Sequence, residues 1–164
     1  MEYCIDGYNF LFRVTKDYKT LLTKKNQILA RLETWAEVFH LSITLIFDGK
    51  HKAPADAIRG HLRKIEIIYT HENQSADDYI VQHIQHHTKP PRVTVVSSDR
   101  EVLGKSKQFG ASTQTIEQFL SFLLKKEKKR KTRSTPAFRD TDFQIKRLCK
   151  IFEEKLGLKN QEEF

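Results

Sequence analysis

Short apolar runs alternate along this chain with longer segments in which apolar residues recur at helical spacing. The strand-like runs cover residues 2–5, 43–47, 64–70, 93–96 and 111–114. Helical spacing is found over residues 25–40, 76–86, 99–108, 116–124 and 140–156. A loop containing Tyr18 and a short helix over 56–62 complete the prediction. Strands that alternate with helices are typical of an α/β fold, so we predict about five mostly parallel strands flanked by helices.

Four of the predicted strands lead into aspartate. Asp6 and Asp48 directly follow the first two strands, Asp99 follows the fourth, and Asp77 and Asp78 begin the helix after the third. The carboxyl ends of parallel strands share one edge of a sheet, where ligands bind, so these carboxylates should converge. Clustered carboxylates repel one another unless a proton or a cation neutralises them. A hard divalent ion such as Mg²⁺ or Mn²⁺ is the simplest neutraliser.

Each aspartate also has a local explanation. Aspartate is a common turn former and helix cap, and Asp78 is spaced from Ser75 as in a capping box, while Asp99 could cap the next helix. Turn formers need not be carboxylates, however, so the recurrence at one edge favours a shared site. Such a cluster suits phosphodiester cleavage, because a bound divalent metal polarises the phosphoryl group and activates water.

The composition is that of a water-soluble domain of ordinary size. The chain has 164 residues, of which 38% are hydrophobic and 30% charged. No apolar run approaches the length of a membrane span, and the first strand begins too early for a signal peptide, so we expect no membrane contact. Cys4 and Cys149 lie far apart and give no disulfide framework. We therefore expect a cytoplasmic protein without a disulfide-linked partner.

Positive charge is concentrated in one segment. Residues 125–133 hold seven basic residues and one acidic residue, which accounts for +6 of the net charge of +8. A positive strip of this kind is typical of a surface that binds phosphate backbones, although a solvated helix face or linker has the same composition. The ribosome is one candidate partner, because it presents RNA phosphate at high density. The candidate RNA-binding residues are Lys125, Lys126, Lys128, Lys129, Arg130, Lys131 and Arg133.

Three further features have ordinary explanations beside functional ones. His83 and His87 have the i, i+4 spacing of a zinc site, but no third ligand is evident nearby, so we interpret them as surface histidines. Tyr8 could stack on a base or pack in its loop. A set of basic residues could line a nucleic-acid path or simply be solvated: Lys50, His51, Lys52, Arg59, Arg63 and Lys64.

The order of the aspartate motifs resembles that of the NYN domain family, and most closely its YacP-like group. The motifs that carry the resemblance are Asp6-Gly7-Tyr8-Asn9, Phe47-Asp48-Gly49, Ala76-Asp77-Asp78 and Ser98-Asp99. The resemblance implies a PIN-like three-layer sandwich with an acidic, metal-binding cleft that acts on RNA. It covers residues 1–125, and we expect residues 126–164 to form a basic segment and a C-terminal helix that pack on this domain or extend from it.

The resemblance also implies roles for individual residues. Asp6 would be a primary metal ligand, Asp77 a second essential carboxylate, and Asn9 would orient substrate or a metal-bound water. Asp48 and Asp99 would complete the metal-binding set.

Two more residues would support the site. Ser98 would contact a phosphate or a ligand water, and Asp78 would act either as a carboxylate of the site or only as a cap. One position departs from the family, which often has glutamate where this chain has Gln74.

These features favour a metal-dependent endoribonuclease that uses Mg²⁺ or Mn²⁺ and acts on mRNA or ribosome-associated RNA. The alternative is a catalytically silent RNA- or ribosome-binding module. A phosphatase with an aspartyl nucleophile ranks third, because Tyr8 occupies the position where that chemistry usually needs a second acid.

Overall fold

The computed structural model describes residues 1–15, 18–49, 59–62 and 64–133. The chain divides into two compact units, residues 1–119 and residues 120–164. The strands are β1 (Glu2–Asp6), β2 (Ser42–Phe47), β3 (Arg59–Leu62), β4 (Ile65–Tyr69), β5 (Val93–Val96) and β6 (Ser112–Gln114). The helices are α1 (Gly7–Thr15), α2 (Tyr18–Phe39), α3 (Ala76–Gln85), α4 (Arg100–Gln108) and α5 (Ile116–Arg133), with a 3₁₀ turn at Pro90–Arg92.

The strands form one sheet in the order β3-β4-β2-β1-β5-β6. The pairs β1–β2, β1–β5, β2–β4 and β5–β6 are parallel, and only the edge strand β3 runs antiparallel, against β4. The predicted α/β fold with a mostly parallel sheet is therefore confirmed. The strand beyond the five predicted ones is β3.

Helices cover both faces of the sheet in the first unit. On one face, Cys4, Ile46 and Val95 belong to a buried apolar cluster with Ile80 of α3 and Val102 of α4. Side chains alternate along a strand, so Tyr3 points to the opposite face, where its ring lies 5.0 Å from that of Phe119. On that face α1 contacts β1, β2 and α2. Residues 1–119 thus form three layers, with the sheet in the middle.

Two helices replace the loop that we predicted around Tyr18. In α1, Phe10, Leu11 and Val14 are buried and lie on one helical face, which is enough to order this short segment against the sheet. The next helix, α2, begins at Tyr18, well before the predicted start near residue 25. The prediction of a loop was wrong because it overlooked the apolar stripe that Phe10, Leu11 and Val14 form on α1.

The segment after β2 was also misread. Residues 59–62 form strand β3, because they pair with residues 65–68 in a hairpin, and the helix predicted over 56–62 is wrong there. Residues 50–58 and 63 lie outside the described residues, and so does the helix predicted over 140–156. The helix predicted over 116–124 continues to Arg133, since the lysines, arginines and glutamate that follow are good helix formers.

None of the helices in the described part of the chain combines the length and hydrophobicity of a transmembrane segment.

Candidate active site

The order in which the chain adds strands reverses at β1, which lies between β2 and β5. The connection after β1 covers one face, and α3, which precedes β5, covers the other. The region outside the carboxyl ends of β1 and β5 is therefore the topological switch point, where open α/β sheets form a ligand-binding crevice. Asp6 is the last residue of β1, and its side chain is only 8% exposed.

Asp6 also holds the start of α1. The backbone N–H of Asn9 donates to Asp6 Oδ1 over 3.0 Å, which is the hydrogen bond that an N-cap side chain accepts. Gly7 lets the helix start close to the sheet, because a β-carbon there would lie 2.5 Å from the Phe47 ring. The Asp-Gly sequence therefore fixes both the direction of the carboxylate and the approach of α1.

The carboxyl groups of Asp6 and Asp77 lie side by side. Burial is the main cause that raises the pKa of Asp6 to about 6, and the negative charge of Asp77 raises it further. The hydrogen bonds from Asn9 act in the opposite direction. Burial and the charge of Asp99 raise the pKa of Asp77, while its hydrogen bond with Asp6 acts in the other direction. Both shifts therefore favour protonation, and a protonated Asp6 can donate a hydrogen bond to Asp77.

The first turn of α3 places Asp77 beside Asp6. Ser75 is the N-cap of this helix and accepts a hydrogen bond from the Asp78 backbone N–H over 3.0 Å. The Ser75 hydroxyl also donates to Asp78 Oδ2 over 2.8 Å. Asp78 thus has the predicted capping role at the exposed rim, and Asp77 is the carboxylate of the pair that reaches Asp6.

Asp99 combines a cap with a place in the cluster. Its Oδ1 accepts from the N–H of Glu101 over 2.7 Å and so caps α4, as the local explanation predicted. The same residue is close enough to Asp77 to raise its pKa. Its backbone N–H donates over 3.0 Å to the hydroxyl of Ser97, which is fully buried and also accepts from Asn9 Nδ2 over 3.4 Å.

Three helix N-termini meet at this edge. The helices α1, α3 and α4 begin within a few residues of Asp6, Asp77 and Asp99 respectively. Helix N-termini carry partial positive charge and unpaired backbone N–H groups, which favour carboxylates and phosphates alike. The fold therefore offsets part of the repulsion among the acids.

A buried threonine ties the loop before α3 to the end of β2. Thr70 Oγ1 accepts from the Gly49 N–H over 3.0 Å and donates to the backbone oxygen of Gln74 over 2.6 Å. A β-carbon on Gly49 would lie 1.9 Å from the Thr70 carbonyl oxygen, so only glycine fits. The side chain of Gln74 donates from Nε2 to Gln82 Oε1 over 3.0 Å.

The end of β2 contributes a carboxylate and an aromatic cluster. Asp48 follows β2 and is half-buried at the same edge as Asp6. Nearby, Lys25 Nζ donates to the Tyr69 hydroxyl over 3.3 Å and lies 5.2 Å from the centre of the Phe47 ring. Tyr8 packs edge-on against Phe47, with ring centroids 5.0 Å apart. Lys25 therefore brings a positive charge to the edge of the sheet that carries Asp6, Asp77 and Asp99, which we call the acidic edge.

The structure thus brings Asp6, Asn9, Asp77 and Asp99 together and keeps Ser98 exposed on the loop beside them. The sequence interpretation missed Ser97, Lys25, Glu101 and Lys105. Glu101 acts on Asp77 electrostatically and pairs with Lys105 over 2.6 Å. Ser97 had a usable signal, since it directly ends β5, whereas Lys25 lies on a helix that gives no local indication of the site.

The basic segment 125–133 forms the second half of α5. Lys125, Lys128, Lys129 and Arg130 are exposed, and Lys126 Nζ lies 5.2 Å from the centre of the Phe122 ring. The role of this segment in RNA binding stays a prediction, as does the domain boundary at residue 125. Of the other basic candidates, Lys64 is exposed.

The structure places a potential third ligand beside His83 and His87, which the sequence did not show. Glu2, at the start of β1, has carboxylate oxygens 3.9 Å from His83 Nε2 and 3.6 Å from His87 Nε2. Glu2 lies 81 residues before His83 and 85 residues before His87 in sequence, so no local spacing could have indicated this contact. This cluster is at the amino ends of the strands, opposite the acidic edge.

Comparison with known proteins agrees with the fold and with the order of motifs. The family model described as YacP-like NYN domain matches residues 3–157. The crystal structure of a tryptophan-to-leucine mutant of Rae1 (YacP) from Bacillus subtilis is similar, with a TM-score of 0.63 and 17% identity over 95% of this chain and 91% of that one. Another Rae1 (YacP) structure from Bacillus subtilis gives a TM-score of 0.58 and 16% identity over 96% of this chain and 91% of the other.

Among curated proteins, no sequence is significantly similar to this chain. The two structural likenesses establish a shared fold, and the family model spans nearly the whole chain. The resemblance seen in the aspartate motifs is therefore confirmed: the chain belongs to the YacP-like NYN domain family, a nuclease-like group with a PIN-like fold.

Proposed function

We propose that this protein is an endoribonuclease that depends on Mg²⁺ or Mn²⁺. The observation that carries the proposal is the pairing of the Asp6 and Asp77 carboxyl groups in the crevice beside β1, with Asp99 close to Asp77. Membership of a nuclease-like family and the basic segment 125–133 support RNA as the substrate.

The donor set fits a hard divalent cation. Asp6 and Asp77 offer carboxylate oxygens, which Mg²⁺ and Mn²⁺ prefer, and burial leaves their negative charge short of solvation. Asp6 and Asp77 would be the main ligands, with Asp99 and Asp48 as further oxygen donors. When bound, the metal would polarise the scissile phosphodiester and lower the pKa of the attacking water.

The remaining residues position groups and bind charge. The Asn9 side-chain NH₂ donates to Asp6 and Ser97, which leaves its Oδ1 able to accept a hydrogen bond from a substrate hydroxyl or a bound water. The N-termini of α1, α3 and α4 favour a phosphate at this edge. Lys25, supported by Tyr69, would contact a neighbouring phosphate of the bound strand.

RNA cleavage by purified protein tests the proposal. Labelled single-stranded and structured RNAs are incubated with Mg²⁺ or Mn²⁺, and the products are resolved on a gel. We expect internal cleavage that EDTA abolishes and that Asp77→Asn lowers at least about a hundredfold, the loss typical of removing one strong electrostatic stabiliser. The Asp6→Asn variant should lose activity to a similar degree.

The matched control is Glu72→Gln, which removes one charge from the exposed loop before α3 and should cleave as the wild type does. Because ribosome-associated RNA is one candidate substrate, the same assay is repeated with RNA engaged by ribosomes. Salt-sensitive RNA binding without cleavage in both settings would favour the catalytically silent module instead. Equal cleavage by the wild type and by both aspartate variants would exclude this site.

A cytoplasmic location belongs to the same proposal. Cys4 is a free and buried thiol, which is compatible with a reducing compartment.

A further inference from the structure

The face of β1 that lies under α3 is polar at both ends and apolar in the middle. Glu2, Cys4 and Asp6 alternate along the strand and so point to the same side. Cys4 belongs to the buried cluster with Ile80 and Ile84 of α3. The helix runs antiparallel to the strand, so its first turn meets Asp6 and its last turn meets Glu2.

The polar group at the Glu2 end contains three potential metal ligands. Glu2, His83 and His87 each offer one ligand atom, and these atoms all lie within 4.8 Å of one another. The carboxylate oxygens of Glu2 are 3.9 Å from His83 Nε2 and 3.6 Å from His87 Nε2. Ligand atoms around tetrahedral Zn²⁺ are about 3.3 Å apart, so small side-chain movements would complete the coordination.

The backbones that carry these ligands are fixed by regular structure. Glu2 pairs in register with Ser42 on one side and Val93 on the other. His83 lies within α3, and its ring is stacked parallel to that of Tyr79, with centroids 6.2 Å apart. His87 follows the helix and remains tied to it by a hydrogen bond from its N–H to the Ile84 oxygen over 3.1 Å.

We propose that Glu2, His83 and His87 form a binding site for a divalent transition metal such as Zn²⁺, at the opposite end of β1 from the acidic edge. Two imidazoles and one carboxylate suit Zn²⁺ better than Mg²⁺, and a fourth position remains for water. The three ligands are about one-third exposed or less, so an ion could enter from solvent. The bound ion would link the start of β1 to the end of α3, the helix that carries Asp77.

Metal binding has a specific consequence at Lys89. His87 Nδ1 accepts a hydrogen bond from the Lys89 N–H over 3.1 Å. Coordination through His87 Nε2 requires the proton to move to Nδ1, which then can no longer accept. The Lys89 N–H must therefore turn to water, which its exposed position allows. The resonance of the Lys89 amide reports on this change directly.

The test is a titration of the full chain, without a histidine tag, by Zn²⁺ in an excess of Mg²⁺ that occupies oxygen-rich sites. Calorimetry should give one equivalent bound, and Co²⁺ in its place should give the visible absorption of a tetrahedral site. We expect Glu2→Gln, His83→Ala and His87→Ala each to weaken Zn²⁺ binding at least about tenfold. Removing a residue that only hydrogen-bonds to a metal ligand can already weaken binding by that much, so removing a ligand itself should cost no less. His86→Ala is the matched control, because His86 lies on the same helix end outside the cluster and should leave binding unchanged.

Folding of each variant is checked by circular dichroism, and Glu2→Gln decides the outcome if a histidine variant fails to fold. In wild-type protein, Zn²⁺ should shift the Lys89 amide resonance and raise the melting temperature. The proposal is overturned if Zn²⁺ shows no saturable binding, if the control weakens binding as much as the ligand variants do, or if Asp77→Asn abolishes Zn²⁺ binding while Glu2→Gln does not.

Discussion

Asp6 has two roles that conflict at neutral pH. Its carboxylate caps α1 through the Asn9 N–H, which favours the charged form, and its burial beside Asp77 favours the protonated form. Burial has the larger effect, and the pKa of Asp6 rises from 3.8 to about 6. The residue is therefore suited to a cation that offsets its charge, and without the cation it weakens the fold.

This conflict predicts how stability depends on pH. In EDTA, the unfolded chain ionises at Asp6 near pH 4, while the folded protein keeps that proton until about pH 6. The contribution of Asp6 to stability should therefore fall as the pH rises through this window and stay low above it. Asp6→Asn keeps the cap without the charge, so at pH 7.5 it should be more stable than wild type by up to about 3 kcal/mol.

Thermal unfolding in EDTA at pH 4 and at pH 7.5 measures the difference. The advantage of Asp6→Asn should shrink towards zero at pH 4, and the exposed Glu72→Gln control should change stability little at either pH. A variant that is less stable than wild type at pH 7.5 would show that the Asp6 charge is already well compensated in the fold.

Lys25 provides a second residue-scale prediction, which rests on the proposed nuclease function. Its ammonium group lies at the acidic edge against Tyr69 and Phe47. We expect Lys25→Gln to raise KM for RNA about tenfold with a smaller change in kcat, because a phosphate contact contributes mainly to binding. The neighbouring Lys24→Gln makes the same charge change, and equal effects of the two substitutions would rule out a specific contact.

At the scale of elements, the loop between β4 and α3 determines where Asp77 lies. Gly49 and Thr70 join the end of β2 to this loop by a hydrogen bond and by a backbone approach that excludes any side chain at Gly49. The relative placement of Asp6 and Asp77 therefore depends on a contact that neither aspartate makes itself.

Two glycine substitutions should have opposite effects on stability. Gly49→Ala would place a β-carbon 1.9 Å from the Thr70 oxygen, and we expect a loss of about 3 kcal/mol together with displacement of the loop. Gly104→Ala lies in α4, where an added β-carbon meets nothing within 4 Å, and should stabilise by about 0.5–1 kcal/mol. Chemical denaturation of both variants measures this, and a neutral Gly49→Ala would show that the loop adapts.

The elements that the sequence predicted well are those with a clear local signal. Strands β1, β2, β4 and β5 have continuous apolar runs, Ser75 and Asp78 form the expected cap, and Gly110, with a φ of 91°, ends α4 as its position suggested. Strand β3 was mistaken for a helix because its conformation comes from pairing with β4.

Contacts between distant residues set the limit of prediction for the candidate site. The shared edge of Asp6, Asp77 and Asp99 was predictable from the alternation of strands and helices, because parallel strands share their carboxyl edge. The placement of Lys25 over Phe47 and of Glu2 beside His83 depends on which helix packs on which face. Hydrophobic spacing within one segment carries no information about that choice.

At the level of the whole molecule, the proposed action on RNA requires charge of both signs. The acidic edge would repel a polyanion unless a metal is bound, and in this proposal the basic residues of α5 supply the long-range attraction. Binding and cleavage should therefore depend on different residues and respond differently to salt.

Neutralising part of α5 tests this separation. Lys128, Lys129 and Arg130 are exposed, and replacing all three by glutamine should weaken RNA binding and flatten the salt dependence of its affinity by up to about two in the logarithmic slope. Cleavage at saturating RNA should change little. The matched control replaces three exposed cations near the amino ends of the strands, Lys64, Lys89 and Arg92. Similar losses in both triple variants would indicate that only net charge matters.

Anomalous diffraction from crystals soaked in Mn²⁺ tests whether a divalent metal binds between Asp6 and Asp77. The expected result is an anomalous peak within coordination distance of both carboxylates, which is absent from Asp77→Asn crystals soaked in the same way. No peak at this edge, or Mn²⁺ density only at Glu2, His83 and His87, would contradict a metal-dependent active site in this crevice.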